Sequence, residues 1–220
     1  GGTPSVLNEK ELRYLFEICS KFNKKDNLEF TFECNLNDIN EEMLLILKEN
    51  GVNRLSIGIE SFNEEKLKFI RRIGFDNVNI DLIYGIPGET LKDLKKDLDL
   101  ILKLEPDHIS TYSLIIEDNT KIGISGVVPI DEELDAEMYE LICERLESKK
   151  FIHYEISNFA KEGKASKHNM KYWDNEEYYG FGVAAHGYID GIRYSNYCSL
   201  EEYMNNPSQH ANGHIQTESE

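Results

Sequence analysis

Apolar residues recur along the first half of the chain with two periods that take turns. Between Asn8 and Phe22 they fall at Leu12, Leu15, Phe16, Cys19 and Phe22, the spacing of one helix face. Leu28–Asn35 (LEFTFECN) then alternates, with aromatic content, and predicts a strand. The next helix has Asp38 as its expected cap, buries Met43, Leu44, Ile46 and Leu47, and stops at Gly51. Arg54–Glu60 (RLSIGIE) predicts a strand and Asn63–Arg72 a helix. Val78–Tyr84 (VNIDLIY) predicts a strand, Leu91–Leu104 a helix before Pro106, and His108–Ile116 (HISTYSLII) a strand.

Strands alternating with helices imply parallel strands joined by crossover helices. The fold class is therefore α/β, with residues 1–118 as a partial (β/α) barrel. Ligands of such sheets bind at the carboxyl ends of the strands. One crossover reads short. A strand over Arg54–Ile59 spans about 20 Å, and a return helix then needs about 13 residues at ~1.5 Å each. Only Asn63–Ile73 is available before Gly74, so a segment is expected to be absent between Ile73 and Gly74. After Asp118 the pattern changes. Asp131–Lys149 predicts a long amphipathic helix. The short aromatic segments Phe151–Phe159, Tyr178–Val183, Tyr188 and Arg193–Tyr197 predict hairpins. Residues 119–220 are read as a small α+β C-terminal domain whose polar tail, from Asn205, is expected to be disordered.

Composition narrows the function classes. Of the 220 residues, 40% are apolar and 30% charged, as in soluble globular proteins. No apolar run approaches the ~18 residues of a membrane span, and the N-terminus lacks the basic-then-apolar pattern of a signal peptide. The net charge of −17 argues against nucleic acid, which requires a basic surface. Cys19, Cys34, Cys143 and Cys198 lie far apart. They read as reduced thiols of a cytoplasmic protein and provide no cysteine triplet for an iron–sulfur cluster.

Candidate chemistry gathers at the strand ends. Glu33 closes LEFTFE, Glu60 closes RLSIGIE, and Asp81 precedes the Gly85-x-Pro87-Gly88 turn. Gly1-Gly2-Thr3 reads as a loop that lets backbone approach a ligand. Three carboxylates at one mouth would attract a cation or ribose hydroxyls, although acidic residues in such positions also serve as helix caps. A second cluster is His168-Asn169-Met170-Lys171-Tyr172-Trp173, where an imidazole lies one turn from aromatic rings that could stack on a macrocycle. Its competing reading makes His168 a capping or surface histidine and Trp173 a core residue. His186 is a further candidate. His108 and His153 read as structural, and His210 and His214 lie in the tail.

The order GGTPS, EFTFECN, NRLSIGIESF, NIDLIYGIPGET and PDHISTYSLIIEDNT resembles the radical S-adenosylmethionine (SAM) family of oxygen-independent coproporphyrinogen III oxidases and their heme-chaperone relatives, over almost the whole chain to Asn205. YEISNFA, HNMKYW and GFGVAAH are similar to the chaperone branch. The resemblance implies a barrel of the radical SAM type and a C-terminal domain like that of the oxidases. It assigns Gly1, Gly2, Thr3, Glu33, Glu60, Arg72 and Asp81 to SAM, with Glu60 standing where the family has Gln. It assigns His168, Asn169, Tyr172 and Trp173 to heme, with heme-acceptor proteins as partners. It also implies a 4Fe–4S cluster whose Cys-x-x-x-Cys-x-x-Cys motif belongs before Gly1, and a longer, mostly helical segment between Ile73 and Gly74. Segments at both places are expected to be missing from a longer protein. In the family the cluster reduces SAM to give a 5′-deoxyadenosyl radical. Two alternatives stay open: the oxidative decarboxylation of coproporphyrinogen III, and a cluster-less binding module.

Overall fold

Each predicted helix–strand unit of the first half forms, and each helix begins on a side chain that satisfies its free amides. The computed structural model describes residues 3–58, 63–116 and 120–215. Helix α1 (Glu9–Cys19) opens on a capping box, in which Asn8 Oδ1 accepts from the Glu11 amide and Glu11 Oε2 accepts from the Asn8 amide. Then follow β1 (Thr31–Asn35), α2 (Glu41–Glu49), β2 (Arg54–Gly58), α3 (Glu64–Ile73), β3 (Val78–Tyr84), α4 (Leu91–Lys103) and β4 (His108–Ser113). The cap of α2 is Asn40, whose Oδ1 accepts from the Met43 amide at 2.9 Å. The expected cap, Asp38, instead accepts from the Ser5 hydroxyl at 2.7 Å.

β1 to β4 are adjacent, parallel and in sequence order, as the alternation predicts. Phe32, Cys34, Leu55, Ile57, Val78, Ile80, Leu82 and Ile109 alternate onto one side. They share a core with Leu12 and Phe16 of α1, Leu44 and Leu47 of α2, Ile70 of α3, and Leu94 and Leu98 of α4.

The expected interruption falls at the C-terminal end of α3. Gly74 takes a left-handed conformation (φ 99°) and closes α3. Its amide donates to Arg71 O (2.9 Å) and the Phe75 amide to Ile70 O (3.3 Å), the two bonds of a Schellman cap. The five-residue β2 spans about 17 Å and the ten-residue α3 about 15 Å, so the short helix returns the chain to the start of β3.

The C-terminal half departs further from expectation. The short helix α5 (Lys121–Ile124) precedes α6 (Glu132–Glu147), and α6 adds Met138, Ile142 and Leu146 to the same core. The hairpin β5 (Ile152–Glu155) and β6 (Asn158–Ala160) joins the first sheet antiparallel to β4, giving the order β1-β2-β3-β4-β6-β5. The chain therefore divides into compact units at Ala165–Ser166, not at residue 118. The second unit holds α7 (Lys167–Trp173), β7 (His186–Ile189), β8 (Ile192–Ser195), α8 (Leu200–Asn205) and β9 (Asn212–Ile215). β7-β8-β9 form an antiparallel sheet, so the tail expected to be disordered supplies an edge strand as far as Ile215. Among the described residues no helix is long and apolar enough to cross a membrane.

Candidate functional site

The second face of the parallel sheet is polar. Strand alternation turns Glu33, Arg54, Ser56, Asn79, Asp81, His108 and Ser110 away from the side chains of the apolar face. Register sets them in rows: Glu33 lies beside Ser56, Ser56 beside Asn79 and Asn79 beside His108, while Gly58, Asp81 and Ser110 form the next row toward the carboxyl ends. These groups bond to one another. Asn79 Nδ2 donates to Asp81 Oδ1 (2.7 Å) and Ser56 Oγ (2.8 Å), and Asn79 Oδ1 accepts from Ser110 Oγ (3.2 Å). His108 Nδ1 lies 2.6 Å from Asn79 Oδ1, and its Nε2 lies 2.7 Å from the Tyr154 hydroxyl. Ser56 Oγ donates to Asp81 Oδ2 at 3.4 Å.

Burial governs the charges here. It raises the Asp81 carboxyl above the usual carboxylate range, against the opposing pull of hydrogen bonds from Asn79, Ser110 and Ser56 and of the Arg54 charge. Burial, with Arg54 adding to it, holds the His108 imidazole down to about 3, so it is neutral at physiological pH. Arg54 is itself buried, and its Nε has no hydrogen-bond partner.

Of the residues assigned to SAM, Glu33 and Asp81 share this face, Glu33 exposed and Asp81 half-buried. Thr3 precedes the turn Pro4–Val6. Ser5, buried in that turn, accepts from the Asn35 amide (3.1 Å), which pins the turn to the carboxyl end of β1. Gly1, Gly2 and Glu60 lie outside the described residues. Arg72 is not brought to this face. It occupies the last turn of α3, exposed, with its guanidinium over the Phe69 ring at 5.8 Å. A crossover helix runs back toward the amino ends of the strands, which takes its last turn away from the mouth.

The heme candidates lie on α7 in the second unit. Ser166 caps the helix by accepting from the Asn169 amide at 3.3 Å, so capping falls to Ser166 and not to His168. His168 and Tyr172, one turn apart, meet with Nε2 and hydroxyl 2.9 Å apart and rings at right angles. The Tyr172 ring packs edge-on against Tyr178. Trp173 is 54% exposed and Tyr172 43%, so neither is a core residue. An imidazole beside the accessible Tyr172 ring is a donor set that fits heme. Among the described residues no side-chain group offers an iron–sulfur cluster its ligands. The four cysteines are unpaired, and no group of three metal-ligating side chains occurs among the described residues.

Sequence reasoning missed the network itself. The sequence gives Asn79, Ser56, Ser110 and Tyr154 no site role, and His108 reads as structural. The available signal was the period of two at which polar residues interrupt otherwise apolar strands, as in VNIDLIY.

Known proteins share this fold. Residues 1–101 match the Radical SAM superfamily. The solved structure of coproporphyrinogen III oxidase (HemN) from Escherichia coli, a radical SAM enzyme, superposes with a TM-score of 0.82 at 22% identity. The match covers 99% of this chain and 58% of that one. The radical SAM match thus lies in residues 1–101, and the chain has a HemN-like fold, mixed α/β with a parallel sheet.

Its curated sequence relatives carry a narrower name. It is 41% identical to the heme chaperone HemW of Bacillus subtilis (strain 168), over 93% of this chain and 60% of that protein. It is 40% identical to that of Lactococcus lactis subsp. lactis, over 93% and 59%, and 32% identical to that of Escherichia coli K12, over 86% and 54%. The chain thus spans less than two thirds of the curated relatives it matches. The Bacillus alignment runs over 228 residues, more than the 220 of this chain, so that relative carries extra residues inside the matched span.

Proposed function

We propose that this chain is the greater part of a heme chaperone of the radical SAM superfamily, which binds heme and delivers it to acceptor proteins. What carries the reading is the 40–41% identity to proteins named heme chaperone over 93% of the chain. The accessible His168, Tyr172 and Trp173 on α7 add to it. In this reading His168 ligates the iron while Tyr172 and Trp173 shield a porphyrin face, with Asn169 beside them. Thr3, Glu33 and Asp81, with Gly1, Gly2 and Glu60, hold SAM: the carboxylates accept from ribose hydroxyls and face its ammonium and sulfonium charges. When bound and reduced by a 4Fe–4S cluster, SAM supplies a 5′-deoxyadenosyl radical. The cluster's ligands belong to none of the described residues. The four unpaired thiols suit a reducing compartment, the cytoplasm.

The test is heme binding by the full-length protein. His168→Ala at a surface position should leave the melting temperature nearly unchanged and weaken heme retention, seen as a smaller Soret band after gel filtration. A variant with wild-type heme stoichiometry and spectrum would remove His168 from the site.

A further inference from the structure

We propose that Tyr154, His108 and Asn79 form a positioning relay that fixes the Asp81 carboxylate for its ligand. The inference rests on the reading that Asp81 contacts SAM. It is carried by the direction that donors and acceptors impose on the network. Asn79 Nδ2 faces two acceptors, Asp81 Oδ1 and Ser56 Oγ. Its Oδ1 must therefore be the acceptor for Ser110 and for His108 Nδ1. His108 consequently carries its proton on Nδ1, and its Nε2 is left to accept from the Tyr154 hydroxyl. Every bond then points the same way, from Tyr154 through His108 and Asn79 to the carboxylate. His108 and Asn79 are almost fully buried, and a flipped amide would set Oδ1 against the Asp81 carboxylate, so the partners fix its orientation. Three segments far apart in the chain supply the relay, β3, β4 and β5. It ends on Asp81 Oδ1, while Ser56 holds Oδ2, so both carboxylate oxygens are oriented before a ligand arrives.

A network that merely ties β3, β4 and β5 together would stabilise the fold without acting through Asp81. A double-mutant cycle on the full-length, cluster-reconstituted protein separates the two roles. SAM affinity is read by calorimetry and folding by melting temperature. Asp81→Asn should weaken SAM binding. His108→Ala should weaken it about tenfold in the wild-type background and less than about twofold in the Asp81→Asn background. His108→Gln should stay within about twofold of wild type, since an amide reproduces both the donor and the acceptor. Where His108→Ala fails to fold, Tyr154→Phe takes its place, with a smaller loss that likewise vanishes in the Asp81→Asn background. Equal weakening in both backgrounds, or a glutamine variant as impaired as the alanine, would overturn the relay while leaving Asp81 as a SAM contact. Unchanged SAM affinity in Asp81→Asn alone would overturn the SAM reading and the relay with it.

Discussion

Replacing His108 by glutamine should flatten the acid side of the stability profile. In the folded chain burial holds the imidazole at about 3, against an ordinary value of 6.5. The unfolded chain therefore takes up a proton near 6.5 that the folded chain refuses until about 3. The sign follows from linkage. The stability that depends on neutral His108 is complete above pH 6.5 and is lost progressively as pH falls through the window toward 3. Between pH 7 and pH 5 this one group should remove about 2 kcal/mol. Urea unfolding of both proteins at the two pH values measures it. Carboxylates elsewhere titrate alike in wild type and variant, so the difference of the two pH-induced losses isolates His108. The wild type should lose about 2 kcal/mol more than His108→Gln. Nuclear magnetic resonance gives a second readout, with the His108 ring carbons unmoved over the same range. Equal losses in the two proteins, or an imidazole that titrates near 6.5, would refute the buried neutral histidine on which the relay depends.

Other positions test other parts of the structure. Asp107 accepts from Arg71 Nη1 at 2.6 Å and from the Val78 amide at 2.9 Å, where β3 begins. Asp107→Asn should cost about 1–3 kcal/mol, read from thermal melts, and an unchanged melt would contradict the pairing. Gly85 has φ +75°, and a Cβ there would lie 3.2 Å from Ser113 Oγ and 3.3 Å from Ile130 Cδ1. Gly85→Ala should therefore cost about 1–3 kcal/mol in urea unfolding, and a neutral result would put that turn elsewhere. Trp173, half exposed, should tolerate alanine at under about 2 kcal/mol, against the ~3–5 kcal/mol of a core tryptophan. A core-sized loss would mean that the ring is packed away from any ligand.

The parallel half of the fold is legible because burial on one face leaves a period-two record. VNIDLIY reads as a strand, and β3 begins and ends where that run does. Elsewhere backbone pairing decides, and backbone pairing leaves little trace in side chains. The three-residue β6 is too short to show a period, and the polar β9 is held by ladder bonds to β8. The caps show a similar limit. Asp38 and Asn40 are both competent and two residues apart, and the Ser5 hydroxyl on Asp38 separates them only once the chain is folded. The sequence singles out Glu33 and Asp81, which lie mid-strand in β1 and β3 rather than at strand ends, and it does not show the network. Ser56, Asn79, His108 and Tyr154 are spread over almost a hundred residues, and only the register of β2, β3 and β4 brings the first three into one row. Arg72 shows the converse. A motif position alone points it at SAM, while its place on the last turn of a crossover helix puts it at the far end of the strand.

Heme transfer tests the central claim most directly. The full-length protein, loaded with heme and separated from the excess, is mixed with an apo-hemoprotein, and the Soret spectrum is followed as heme changes its ligands. A parallel anaerobic sample receives SAM, reductant and coproporphyrinogen III. A heme chaperone should pass its heme to the acceptor, lose that ability with His168→Ala, and leave the coproporphyrinogen undecarboxylated. Decarboxylation of coproporphyrinogen by a protein that neither retains nor transfers heme would contradict the account.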